Sequence, residues 1–382
     1  RKPATVPCVP HNIPDAVHEW LRVGFPEQEL SVSNDSQLMA RAHLCRCGRR
    51  RHKPQLSGTA ALRQIPPIED IDAEGRIAST PKGLTYAFRS FHDALCDPPG
   101  AAAGTMKRVI ADCLTVVNLP YPGNFFLPAD MPPRCTLERL ARAVFDSHTA
   151  GVAYDAARSG AEWWMQVTQP GEDIGPHFDK DEDLYVASHK MIHPQVSTVT
   201  YLTDGGAPTL IVDTRTKAPF DALRPDPITT AHLSWPTRGK HISFDGRYEP
   251  TAAHPLAYHF RSPAERGPRI SFLVNVWLHH QPLDIPVFDE ALVAKHNLSD
   301  LPVPFAIPKT PRPVPTVWLD GRTGGVGVKT FVFPHDRPLS NPALGLWSTL
   351  PLPFPPAHDS LTVRYTRPAD LHEHAPEGEN EG

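Results

Sequence analysis

Proline recurs too often in this chain for long helices to dominate its fold: 45 of its 382 residues are proline. The ring fixes φ and removes the N–H donor, so a proline breaks a helix and confines a strand to an edge or an end. What survives between prolines must be short: strands of a few residues, brief helices and wandering loops. The length suffices for one large domain with a proper core or for two modest ones. A net charge of -4 and a pI near 6.6 leave no electrostatic footprint for nucleic acid, so no nucleic-acid partner is expected. No run approaches the roughly 18–20 apolar residues that a membrane helix needs. Cys8, Cys45, Cys47, Cys96, Cys113 and Cys135 all precede residue 136 and form no CxxC pair. Reduced thiols in an intracellular protein are the expectation.

Residues 1–60 read as a loosely ordered N-terminal segment, with short helices at Asp15–Val23 and Ser36–Leu44. A basic cluster there (Arg46, Arg49, Arg50, Arg51, Lys53) is expected to be a solvated loop, and His43, Cys45, Cys47 and His52 lack the spacing of a zinc site. Residues 61–155 read as a helical support region. Met106, Val109, Ile110, Cys113, Leu114 and Val117 follow helical spacing, as do Leu137, Leu140, Ala141, Val144 and Phe145, with Thr136 at the expected N-cap. Such stripes need a partner, and a sheet downstream is the natural one.

From Trp163 the pattern changes. WWMQVT, STVTYL, PTLIVD, KHISF and RISFLVNVWL are short, rich in β-branched and aromatic residues, and separated by Gly, Pro or Asp. Residues 156–290 are therefore expected to form a β-sandwich or barrel rather than a parallel sheet. Residues 291–382 read as an extension: a helix at Asp289–His296 at its start, a proline-rich run, a glycine-turn hairpin in TVWLDGRTGGVGVKTFVF, and a frayed acidic tail from His372.

The chemistry concentrates in QPGEDIGPHFDKDED. His177 and Asp179 are separated by one residue, so on an extended strand end both project to the same side. An imidazole and a carboxylate so placed suit neighbouring positions of an octahedral metal. A 2-His-1-carboxylate facial triad with open positions is the site of non-haem Fe(II) oxygenases, and the third ligand must come from elsewhere in the chain. Asp181, Glu182 and Asp183 follow at the expected rim, either as a solvated acidic turn or as a surface favouring a cationic substrate.

The stretch from Trp163 to Leu278 resembles the double-stranded β-helix (jelly-roll) core of the 2-oxoglutarate/Fe(II) dioxygenase superfamily, especially its prolyl-4-hydroxylase-like branch. Four elements carry the resemblance in order: the strand and PG turn leading into HFD, STVTYLTDGG, KHISFDGRYEPTAAH, and Arg269-Ile270-Ser271 at the head of the last core strand. The resemblance implies a mainly β fold with flanking helices. It implies Fe(II) on His177, Asp179 and a distal histidine. His254 is the first histidine after the FDGR turn; His241 and His259 are rivals, with His232 behind them. It implies 2-oxoglutarate as co-substrate on Arg269 and Ser271, with O2 as oxidant, succinate and CO2 as products, and hydroxylation of a small-molecule or peptidyl substrate. The retained carboxylate at Asp179 separates the pattern from related halogenases. Independently of the resemblance, Arg269 begins an almost wholly apolar strand, and an inward guanidinium there needs an anionic partner, which a dicarboxylate supplies. A metal-binding cupin-like protein that ignores 2-oxoglutarate, and a non-catalytic barrel scaffold, are the alternatives.

Overall fold

The computed structural model describes residue 77 and residues 82–97, 104–120, 123–188, 190–215, 228–258, 267–319, 327–332 and 349–365. The expectations for residues 1–60, for the basic and Cys/His clusters, for His259 and for the tail lie outside the described residues.

Among the described residues two sheets carry the molecule, antiparallel throughout except for one parallel pair, Thr316–Leu319 with Ser360–Tyr365. The larger has the order β1-β7-β4-β9-β3-β2, with β1 Arg89–Phe91, β2 Asn124–Pro128, β3 Gly160–Thr168, β4 Val196–Tyr201, β7 His241–Asp245 and β9 Arg269–Trp277. The smaller has the order β10-β13-β6-β5-β8, with β5 Thr209–Val212, β6 Thr230–Ser234, β8 Glu249–Thr251, β10 Thr316–Leu319 and β13 Ser360–Tyr365. From β4 to β9 the chain crosses repeatedly between the sheets, with β4, β7 and β9 in the larger and β5, β6 and β8 in the smaller, in the manner of a jelly roll. The fold is mainly β with flanking helices.

Alternation decides what each face buries. On β3, Ala161, Trp163 and Met165 join Ile270, Phe272, Val274 and Val276 of β9 in one apolar layer. Helices α1 (Thr105–Val117) and α2 (Thr136–Thr149) cover it with the two stripes read from the sequence. The intervening residues point the other way, so Val199, Tyr201, Ile211, Ile242, Phe244 and Leu273 form a separate cluster between the sheets. The outer face of the small sheet, with Leu210, Val212, Ala231 and Leu233, is covered by the β11–β12 pair (Val328–Val332 and Thr349–Pro353).

Two local expectations change. Thr136 is not the N-cap: Cys135 holds that place, and the Thr136 hydroxyl is buried against Ser299 at 2.7 Å and accepts from the Leu301 N–H. The glycine-turn hairpin does not form, because β10 runs parallel to β13 while β11 pairs with β12. Each half finds a partner further along the chain. Helix α4 (Glu290–Lys295) has Asp289 as N-cap, accepting from the Ala291 N–H at 2.9 Å.

Candidate co-substrate and metal site

The space between the sheets has a polar end, an apolar middle and a second polar end, and strand register dictates the order. Tyr201 lies opposite Ser271, Val199 opposite Leu273 and Ser197 opposite Asn275. Along β4 the polar ends are four residues apart, roughly 13 Å of extended chain.

At one end stands Arg269, only 2% exposed. Its Nη1 donates to Ser271 Oγ at 3.0 Å and its Nη2 to Thr209 Oγ1 at 2.9 Å. The guanidinium carbon sits 5.4 Å from the centre of the Tyr201 ring, and Nε has no partner among the described residues. Among the described residues, hydroxyls and a ring surround the charge and no carboxylate does. Burial accordingly pushes the guanidinium pKa down. The Tyr201 hydroxyl is itself fixed, bonded to Thr209 Oγ1 at 2.7 Å and donating to the Ser234 carbonyl at 2.9 Å.

Gly206 closes against this arginine. Its φ is +99, and a Cβ on it would stand 2.5 Å from Arg269 Cβ. A Gly206→Ala chain is expected to lose about 1–3 kcal/mol from the left-handed backbone alone and, beyond that, to displace Arg269. Gly171→Ala is the control, since Gly171 shares the sign of φ at +95 but has open space around it. Denaturant midpoints should fall in both variants, with anion binding at Arg269 weakened in Gly206→Ala alone. Equal behaviour of the two would mean that Gly206 does not position the arginine.

At the other end the structure brings His177 and Asp179 together, with Nε2 and Oδ1 3.7 Å apart. Each is held from behind. His177 Nδ1 is 2.9 Å from the Gly175 carbonyl, which can only accept, so Nδ1 carries the hydrogen and Nε2 presents its lone pair toward Asp179. Asp179 Oδ2 accepts from Ser197 Oγ at 2.7 Å, leaving Oδ1 facing the imidazole. His193 donates from Nδ1 to the Asp179 carbonyl at 2.8 Å, and burial lowers its pKa to about 4. Such outer contacts are the usual means of orienting metal ligands. Glu162 lies nearby on β3, bonded by Asn124 Nδ2 and by Trp277 Nε1 at 2.9 Å. Burial, with a smaller push from Asp179, raises its carboxyl pKa to about 7.

Of the other expected ligands, the three within the described residues do not join the pair. His254 opens a 3-10 turn (His254–Leu256) beyond the end of β8, and its side chain is exposed while its backbone N–H bonds Asp173. His241 is on the helix side of β7, bonded to His148 and Thr200. His232 is stacked on Phe88 with ring centres 4.7 Å apart. Among the described residues no group of three His, Cys, Asp or Glu side chains is placed to hold a metal ion.

Asp181 is not at a rim at all. It is 1% exposed, caps helix α3 (Glu182–Ser188) through the Leu184 N–H at 3.0 Å, and accepts from His280 Nε2 at 2.8 Å and the Leu283 N–H at 3.0 Å. Its sequence signal was an aspartate three residues before a buried leucine, which is an N-cap pattern. No sequence signal marks Thr209, Tyr201 and Ser197 as site residues, because each reads as an ordinary strand residue.

No family model matches the chain, and no curated protein matches it either. Among solved structures it is similar to a Pseudomonas putida prolyl-4-hydroxylase, with 13% identity and a TM-score of 0.29, covering 52% of this chain and 89% of that one. It is also similar to a 2OG-Fe(II) oxygenase family oxidoreductase from Burkholderia pseudomallei, with 13% identity and a TM-score of 0.26, covering 48% and 82% respectively. A third is HygX from Streptomyces hygroscopicus with nickel and 2-oxoglutarate bound, with 12% identity and a TM-score of 0.28, covering 58% and 94%. At these values the neighbours assign no family.

Proposed function

We propose that this protein binds 2-oxoglutarate between its sheets and is an oxygenase of the 2-oxoglutarate-dependent kind, acting on a C–H bond of an amino-acid, peptidyl or small-metabolite substrate. The observation that carries the reading is the buried Arg269 guanidinium, which has no carboxylate partner among the described residues. A buried unpaired charge is costly, and a dicarboxylate entering from the far end repays that cost. Ser271 and Thr209 are hydroxyls within reach of the same anion, and Tyr201 provides a rigid wall.

The metal fits this chain in part. His177 and Asp179 would hold Fe(II), with their free Nε2 and Oδ1 atoms already turned toward each other. When bound, the metal supplies activation of O2. The protein's own residues orient the co-substrate from its distal end and keep water from the arginine. A third side-chain donor is lacking among the described residues, and this favours a second reading, a dicarboxylate-binding barrel without turnover.

Calorimetric titration separates binding from its absence. With Mn(II) as a redox-inert substitute, 2-oxoglutarate should bind saturably, whereas 2-oxobutyrate, which lacks the distal carboxylate, should bind at least about tenfold more weakly, since a charge-assisted hydrogen bond contributes roughly 1.5–3 kcal/mol. Equal affinity for the two acids, or no binding of either, would overturn the co-substrate assignment. Succinate formation under Fe(II) then decides between the two readings.

A further inference from the structure

We infer that the inward position from which a third protein ligand would reach the metal is occupied by Pro250, so that, among the described residues, only His177 and Asp179 hold a divalent metal and bound 2-oxoglutarate is needed to retain it. The inference rests on the co-substrate reading above and deepens it.

Register gives the position. Directly opposed residues of an antiparallel pair share a face. Ile211 of β5 lies in the cluster between the sheets, while its neighbours Leu210 and Val212 lie in the cluster outside. Pro250 is opposite Ile211, and Thr251 and Glu249 are opposite Leu210 and Val212. Pro250 therefore faces inward and its two strand neighbours outward. The strand end carrying the metal pair runs alongside: Ile174 bridges Ala252, and the His177 N–H donates to the Pro250 carbonyl at 3.2 Å. No other inward residue of β8 adjoins His177, and proline offers no side-chain donor atom.

The consequence follows from counting donors. Two protein side chains leave four positions of an octahedral ion to water or ligand. A 2-oxo acid supplies two oxygens in a five-membered chelate and is anchored at its other end by Arg269. Metal and 2-oxoglutarate should then each strengthen the other's binding by the same factor, because linkage is reciprocal. A histidine at position 250 would add an imidazole on the same face as His177.

Mn(II) binding to the full chain, followed by calorimetry or by the relaxation of solvent water, tests this. In the unsubstituted protein, saturating 2-oxoglutarate should tighten Mn(II) at least about tenfold, and saturating Mn(II) should tighten 2-oxoglutarate equally. Without 2-oxoglutarate, Pro250→His should bind Mn(II) at least about tenfold more tightly than the parent, a floor taken from the 10–100-fold loss seen when even an outer partner of a ligand is removed. Pro250→Ala should not. Tight Mn(II) binding by the parent that ignores 2-oxoglutarate would overturn the inference, since it would place a third ligand elsewhere. If Pro250→His fails to fold, the linkage measurement on the parent still decides. The Pro250→His comparison is made without co-substrate, so its failure is distinguishable from failure of the 2-oxoglutarate reading, which shows as absent 2-oxoglutarate binding in every variant.

Discussion

Replacing Arg269 by Gln should weaken 2-oxoglutarate binding by about one to two orders of magnitude or more, and should at the same time leave the ligand-free protein no less stable than before. The first effect follows from chemistry at the site. The guanidinium has Nη1 on Ser271, Nη2 on Thr209 and an Nε without a partner among the described residues, so its charge is held for an anion that neither hydroxyl can replace. Hydrogen bonds to charged groups contribute roughly 1.5–3 kcal/mol each, and 1.4 kcal/mol is tenfold in affinity. The second effect has the opposite sign because a buried cation without a counter-charge destabilises the fold it sits in. A surface or purely structural arginine would not give this pair of signs. Metal binding measured without 2-oxoglutarate should be unchanged, since Arg269 lies at the far end of β9 from Asn275, opposite Ser197. Unaltered 2-oxoglutarate affinity in the variant would end the co-substrate assignment and favour a cupin-like protein.

Much of the frame is legible in the sequence because it follows from short-range pattern. The stripes of α1 and α2 and the alternation of β3, β4, β7 and β9 are properties of neighbouring residues, and so is the shared face of His177 and Asp179. Arg269 was legible for a similar reason, as a charge heading a wholly buried strand. What failed depended on where the chain turns. Counting along the sequence from the FDGR turn reaches His254, but β8 ends at Thr251 and a His-Pro turn carries the imidazole out to solvent. The glycine run after Leu319 looked like a hairpin because local sequence specifies a turn and not which distant strand will pair. Asp181 looked exposed because an acidic triplet normally is; here the first member satisfies a helix N-terminus, a backbone N–H and His280 at once. Pro250 was invisible as a site position, since only the register against Ile211 and His177 reveals which way it faces.

Acid should cost this protein stability through a buried histidine pair that lies between α2 and β7. His148 and His241 are buried at 7% and 0% exposure, with their Nε2 atoms 2.9 Å apart. Their tautomers can be assigned from the partners. Arg89 Nη2, which can only donate, is 3.1 Å from His148 Nδ1, so His148 accepts there and carries its hydrogen on Nε2. It donates that hydrogen to His241 Nε2, and His241 in turn donates from Nδ1 to Thr200 Oγ1 at 2.8 Å. The chain of donors is complete with both rings neutral, and a further proton would set an N–H against an N–H or against the Arg89 cation. Burial, with Arg89 adding to it, lowers the His148 pKa to about 3, and burial puts that of His241 well below its usual value of 6.5. Depressed folded-state values mean that the unfolded chain takes up protons first as pH falls below 6.5. Stability is then full above that pH and is lost on the way down toward 3. Well below pH 6.5 each histidine contributes about 1.4 kcal/mol per pH unit, so the pair should remove roughly 4 kcal/mol between pH 7.5 and 5. That is a large share of the 5–15 kcal/mol typical of a folded domain. Guanidinium unfolding at pH 7.5 and pH 5 would measure it, with a His148→Leu/His241→Leu double variant as comparison. The double variant should be weaker at pH 7.5, because Arg89 and Thr200 lose partners, yet its loss between the two pH values should be smaller by about that 4 kcal/mol. An identical pH dependence in both proteins would mean that the histidine pair is protonated in the folded state and that the neutral chain of hydrogen bonds is wrong.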